Sequence, residues 1–442
     1  MKKKSLFLFP AIGTLLTGCS LKDLNNNVIR WTNEHLFGSA ENNKNSSEQE
    51  EDSQTPADTK YDDGYVDGYL KGYDEGKTSG YEEGFSDGKT EGLEEGYNQG
   101  KEDGKEEDKD NKSIHTTLQL QYLNNNDYSI LPSAVTGNAE NSKPLPLEFD
   151  VKESPLFDAN DVTSSKLRIS ETNDFANYVE VDGDTNNHFE VYNLKINTKY
   201  YYYYWAVTST GTFYSDIKEV FVKNEAPRLL NIDGVTNARD DGGWKIKGQD
   251  KYTKQGLMFR MGKLNSASST SITAEGIASF KALGIRTEID LRKSSDNPPT
   301  TSAVDGVDYY NYPLSHDTNL GYFTDATNRE GVKNVLELMS DSSKYPLMFH
   351  CNIGTDRTGF VSFIVNALLG VEEEYLYRDY MMSNYANIGG TRDIASISTY
   401  ISKLKSDYDG SSNLSLGAKN YMLELGVSET NINNIKNILL EA

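Results

Sequence analysis

The sequence predicts a multidomain chain: an antiparallel β-sandwich followed by an α/β domain in which helices pack on a sheet. Two patterns carry that prediction. Residues 113–224 contain short runs of alternating character, HTTLQLQYL, SKLRIS, HFEVYNL, TKYYYYYWAVTS and DIKEVFV, separated by Asn, Asp and Gly turns. From residue 225 to 442 short apolar strands alternate with helical segments instead, which calls for a sheet with helices laid over it.

The chain opens MKKKSLFLFPAIGTLLTGCS. Three lysines precede an apolar run from Leu6 to Leu16 that is too short to cross a bilayer, and small residues lead to Cys19, so residues 1–19 read as a signal peptide. The tetrapeptide Leu16-Thr17-Gly18-Cys19 resembles the lipobox of bacterial lipoproteins. That resemblance implies a diacylglycerol on Cys19 and a chain anchored by lipid to the bacterial cell membrane, externally exposed. An ordinary signal peptide with an incidental cysteine is the alternative. With Cys19 lipidated, Cys351 is the remaining thiol of a two-cysteine chain and has no partner for an internal disulfide.

Residues 20–60, rich in Asn, Glu, Ser and Gln, are expected to form a disordered acidic linker. Residues 61–112 form a repeat with glycine at every fourth position from Gly64 to Gly104. A period of four lies near the helical 3.6, while glycine weakens a helix by about 1 kcal/mol each, so a long marginal helix and a flexible stalk both remain open. Between Glu41 and Asp110 there are 23 acidic and 8 basic residues, which accounts for −15 of the net −23. The acidity therefore belongs to the tether, and no basic patch suits nucleic acid.

In the predicted sandwich, alternation puts Tyr200, Tyr202, Tyr204 and Ala206 on one face of a strand, as core material rather than a glycan platform. LKINTKYYYYYWAV is similar to the fibronectin type III strand that carries a tyrosine corner, with Leu194, Thr198 and Tyr200 in the motif places. The resemblance implies a spacer or binding module.

The segment YPLMFHCNIGTDRTGFVSFIVNALLG reads as strand, loop and helix. Cys351 to Thr358 thus lie between a strand's end and a helix start, where unpaired N–H groups favour an anion. Gly354 lets the loop curl, Arg357 can grip two oxygens of a phosphate, and the same field favours a thiolate at Cys351. A buried apolar cysteine is the bland alternative, and these neighbours weigh against it.

His350, Cys351, Arg357, Thr358 and Gly359 match the His-Cys-x5-Arg-Thr-Gly signature, and the chain here resembles the protein tyrosine phosphatases. NARDDGG, GLMFRMGKL, LGIRTEIDLR and DYMMSNY look like successive blocks of the bacterial tyrosine and phosphoinositide phosphatases. The resemblance implies a central, mostly parallel sheet flanked by helices, and catalysis with no metal or other cofactor. It implies Cys351 as phosphocysteine nucleophile and the amides of Asn352, Ile353, Gly354, Thr355, Asp356 and Arg357, with the Arg357 guanidinium, as the phosphate cradle. Thr358 and His350 would support the thiolate. Asp356, then Asp290, then Asp317 are the candidate acids, with an internal ion pair as the alternative for Asp290 and Arg292. Arg239 and Arg260 read as structural ion-pair partners. Thr355 stands where many relatives carry lysine, which favours phosphotyrosine or small phosphomonoesters as substrates. A phosphoinositide or inositol-phosphate phosphatase, or a non-catalytic binder of phosphorylated ligands, is the alternative.

Overall fold

The computed structural model describes residues 111–132, 135–152, 158–316 and 320–441. The expected signal peptide with Cys19, the expected acidic linker, the glycine repeat up to residue 110 and Asp317 lie outside the described residues.

Where the sandwich is expected, the chain forms β1 (Asn111–Lys112), β2 (Leu147–Asp150), β3 (Val162–Ser170), β4 (Val179–Asp182), β5 (His188–Val191), β6 (Thr198–Thr208), β7 (Gly211–Tyr214) and β8 (Lys218–Val222). Six of these make one sheet in the order β1-β8-β6-β3-β4, with β7 also on β6, and β2 pairs with β5. Every pair is antiparallel except β1 with β8. The tyrosine run obeys its alternation: Tyr200, Tyr204 and Ala206 are buried, and half-buried Tyr202 meets Phe149 of β2 with ring centres 4.6 Å apart. The opposite face carries Tyr203, Trp205 and Tyr214 in a row of rings about 6.1 Å apart.

The hydroxyl of buried Tyr200 accepts a hydrogen bond from the Lys195 N–H at 2.8 Å, which ties the strand to the turn before it. Tyr200→Phe leaves that N–H without its partner. The expected loss is about 1–2 kcal/mol, read as a lower urea midpoint at unchanged slope.

One expected strand is a helix. HTTLQLQYL forms α1 (Thr117–Leu123), because Thr116 and Gln119 close a capping box in which each side chain accepts from the other's N–H. The helix buries Gln119, Tyr122 and Leu123, a helical spacing that overrides the period-two pattern.

The α/β part holds β9 (Arg239–Asp240), β10 (Met258–Met261), a small ribbon of β11 (Asn265–Ser266) and β12 (Ser269–Thr270), then β13 (Thr287–Asp290), β14 (Asp308–Asn311) and β15 (Leu347–His350). Its helices are α2 (Ala274–Ala282), α3 (Gly321–Thr324), α4 (Ala326–Met339), α5 (Asp356–Leu369), α6 (Glu373–Met382), α7 (Ala395–Asp407), α8 (Leu414–Glu424) and α9 (Glu429–Leu439). The sheet order is β14-β13-β15-β10-β9, parallel throughout except β9, as the resemblance implies. β15 and α5 are buried along their whole lengths, so the loop joining them is anchored at both ends in the core.

The two parts share one hydrophobic cluster that runs from Ile114 to Leu439. Arg378 of α6 donates to the Ala226 and Leu123 carbonyls at 3.1 and 2.9 Å and lies over the Tyr128 ring. Arg228 pairs with Asp240 at 2.7 Å and donates to the Leu194 carbonyl.

Candidate active site

Cys351 follows β15 directly and is buried. The loop beyond it turns on Gly354, whose φ of +71° is left-handed and where a Cβ would lie 2.4 Å from the Met261 carbonyl oxygen. Its carbonyls are held from outside. Lys263 N–H donates to the Asn352 oxygen at 3.2 Å, Asn237 Nδ2 to the Ile353 and Gly354 oxygens at 3.1 and 3.0 Å, and Arg260 to the Gly354 oxygen at 2.8 Å. Two N–H groups of the loop, from Ile353 and Thr358, serve the sulfur.

Burial pushes the Cys351 thiol up, but the Arg357 guanidinium, the Thr358 hydroxyl and those two N–H groups outweigh it and hold the thiol below its ordinary value. The Thr358 hydroxyl and Arg357 Nε are buried with no oxygen or nitrogen partner among the described residues. Arg357 Nη1 donates to Asp296 at 2.6 Å, and Asp296 also accepts from Asn352 Nδ2 at 3.1 Å.

His350 lies behind the loop. One ring nitrogen is 2.9 Å from the Cys351 carbonyl oxygen and the other 2.9 Å from Glu288. Burial pulls its pKa down, and the carboxylates of Asp290 and Glu288 outweigh that, leaving it above the ordinary imidazole value. Asp290 is fully buried, takes three hydrogen bonds from the Arg292 side chain and one from Tyr309, and faces no open space. These contacts are those of an internal ion pair, the alternative weighed for it from the sequence.

Asp356 opens α5 at the rim of the loop. Its Oδ1 accepts from Arg392 Nε at 2.9 Å and the Tyr380 hydroxyl at 3.2 Å; its Oδ2 accepts from Arg392 Nη2 at 3.1 Å and lies 3.1 Å from His316 Nε2. Burial pushes this carboxyl up, but Arg392, with His316 and Tyr380, outweighs it and holds it below the usual carboxylate range. Thr355 is fully buried, and its side-chain hydroxyl accepts from Asn237 Nδ2.

Arg239 and Arg260 form a buried ion-pair network with Asp379 beneath the loop, which is the structural role expected of them. Sequence reasoning missed Asp379, Asp296, Asn237, Glu288, Arg392 and His316. The last two approach Asp356 from segments 36 and 40 residues away, with no local motif to mark them.

A buried thiol held low in a strand-to-helix loop, with an arginine six residues on, defines a cysteine-loop α/β domain. Residues 230–441 match the sequence model of the tyrosine phosphatase family. A Cupriavidus necator protein whose name assigns it provisionally to the tyrosine-protein phosphatases is 25% identical over 180 residues, 36% of this chain. The chain spans 64% of that relative's length. Among solved structures, the core catalytic domain of the PP-IP phosphatase SIW14 from S. cerevisiae, in complex with citrate, aligns at 14% identity over 39% of this chain and 93% of its own, with a TM-score of 0.25. A second structure of the Siw14 catalytic core aligns at 14% identity over 35% and 91%, with a TM-score of 0.21.

Proposed function

We propose that the chain is a cysteine-dependent phosphatase that hydrolyses phosphotyrosine or related phosphomonoesters through a phosphocysteine. The observation that carries this reading is the lowered thiol of Cys351 beside an Arg357 Nε and a Thr358 hydroxyl that lack oxygen or nitrogen partners among the described residues. A phosphoryl group set in the loop would take its hydrogen bonds from the amides of Asn352 to Arg357 and from the guanidinium, whose aim Asp296 fixes. Cys351 Sγ attacks phosphorus as the ester P–O bond breaks, and Asp356 gives its proton to the departing oxygen. Water then attacks the phosphocysteine, the S–P bond breaks, and Asp356 takes the water's proton. The Thr358 hydroxyl stabilises the sulfur anion as it leaves. His350, between Glu288 and the Cys351 carbonyl, orders the loop.

The remaining assignments are part of the same proposal. Cys19 in its lipobox-like tetrapeptide supports a lipid-anchored protein outside the bacterial cell membrane. The bond from Lys195 N–H to the Tyr200 hydroxyl supports a fibronectin type III-like module between anchor and catalytic domain.

The test is alkylation of Cys351 by iodoacetamide across pH, with and without inorganic phosphate, followed by initial rates on phosphotyrosine peptides and on inositol phosphates. The alkylation midpoint is expected below that of free cysteine, with phosphate slowing the reaction. A midpoint like that of free cysteine with no protection overturns the thiolate cradle. Faster turnover of the inositol phosphates reassigns the substrate, and tight phosphopeptide binding without phosphate release reassigns the domain as a binder.

A further inference from the structure

Asp356, the group proposed to donate a proton, is gripped by a guanidinium that holds its carboxyl below the usual carboxylate range. Arg392 lies between the turn that follows α6 and the start of α7. Two of its nitrogens engage both oxygens of Asp356, the fork geometry that fixes a carboxylate in plane as well as in charge. Its own backbone is clamped on both sides by buried Asn384, which accepts from the Arg392 N–H at 2.6 Å and donates to its carbonyl at 2.8 Å. The fork is thus aimed by the fold and is not a chance meeting of surface side chains. Its side chain remains about a quarter exposed, and the charge of Cys351 adds to that of Asp356 in favouring its ionised form.

We infer that Arg392 is the positioning residue of the acid: it orients the Asp356 carboxyl at the rim of the loop, stabilises the carboxylate left after the proton has gone to the leaving oxygen, and sets the pH range over which turnover occurs. The inference rests on the phosphatase reading above. Three groups from other elements face the Asp356 carboxyl: Arg392, His316 from the segment after β14, and the Tyr380 hydroxyl of α6. Arg392 is the one that spans both of its oxygens.

The sign follows from the charge. A guanidinium beside Asp356 favours its ionised form, so removing it raises the pH at which the carboxyl loses its proton. For the full chain acting on phenyl phosphate, whose leaving oxygen needs a proton, Arg392→Gln is expected to displace the kcat/KM profile toward higher pH. It is also expected to lower kcat at the optimum by up to ~100-fold through lost orientation. Arg392→Lys keeps the charge and loses the fork, so its profile stays near the parent's while kcat falls. p-Nitrophenyl phosphate, with its good leaving group, is expected to lose less in both variants. In an Asp356→Asn background the Arg392→Gln displacement is expected to vanish.

Unfolding midpoints for each variant separate a folding defect from the effect itself, and Arg392→Lys carries the test if Arg392→Gln does not fold. A profile that does not move in Arg392→Gln, equal losses on the two esters, or the same displacement without Asp356 overturns the inference while the phosphatase reading stands. A parent chain that turns over neither ester removes both.

Discussion

Cys351→Ser is expected to lower kcat/KM on a phosphotyrosine peptide by more than ~10^4-fold, in line with the loss seen when a covalent nucleophile is removed from other enzymes. The reason is the acidity of the attacking atom. The Arg357 guanidinium, the Thr358 hydroxyl and two N–H groups together bring a buried thiol below its ordinary value, whereas a serine hydroxyl is far too weak an acid for the same field to ionise it. Sulfur and oxygen differ little in size, so the loop, its carbonyl anchors and the Arg357–Asp296 pair are expected to persist. The variant should therefore still bind phosphate or a phosphopeptide, and its urea midpoint should stay near the parent's. Acid quenching of the parent during turnover should trap a phosphorylated Cys351 peptide that the variant never yields. Residual turnover above about 1% of the parent rate would mean that the sulfur is not the nucleophile.

The Cys351 loop was legible in the sequence because its motif is contiguous. Cys351, Gly354, Arg357 and Thr358 fall within eight positions, and the strand and helix on either side have clear apolar patterns. The parallel sheet was expected only through the family resemblance. Its strand order was not legible, since β15 inserts between β13 and β10 through contacts that no local pattern encodes. The strand expected at HTTLQLQYL failed for a different reason. Leu118, Leu120 and Tyr122 alternate as a strand would, but Thr116 and Gln119 satisfy each other's N–H groups and start a helix. The Thr-x-x-Gln signal was present and was outweighed by the alternation.

The supports of the site were less legible than its centre. Asp290 lies in the LGIRTEIDLR block, and its internal pairing with Arg292 and Tyr309 is visible only in the folded chain. Asp296 reaches Arg357 from 61 residues away, and Asn237 holds Gly354 from 117 residues away. A single sequence gives each of them the look of an ordinary turn residue. The pairing of distant side chains is a property of the packed core, and the sheet that brings β9, β10 and β15 together creates it.

Asp379→Asn is expected to produce the largest loss of stability of any single change beneath the loop. Asp379 is buried between two guanidiniums: Oδ1 accepts from Arg239 Nε at 2.7 Å, Oδ2 accepts from Arg260, and Oδ2 also accepts from Ser362 at 3.1 Å. Burial pushes this carboxyl up, and the two arginines outweigh it, so it is held below the usual range. An amide keeps the shape and removes the charge, leaving two buried cations without their counter-ion. Breaking a buried pair in this way costs about 3–5 kcal/mol. Asp241 tempers the loss. In the parent it is pushed up to about 7, first by burial and then by the charge of Asp379. An acid raised on folding contributes stability at low pH and loses it as the pH rises through its folded value, so the parent weakens between about 4 and 7. In the variant Asp241 no longer opposes Asp379 and ionises more readily toward the two guanidiniums, so that weakening shrinks. The difference in urea-derived stability between parent and variant should therefore be greater near pH 5 than near pH 8. Because Arg260 also donates to the Gly354 carbonyl at 2.8 Å, the variant should lose phosphate protection of Cys351 even where it remains folded. A pH-independent difference below about 1 kcal/mol would place the network outside the support of the loop and leave Asn237 as its main anchor.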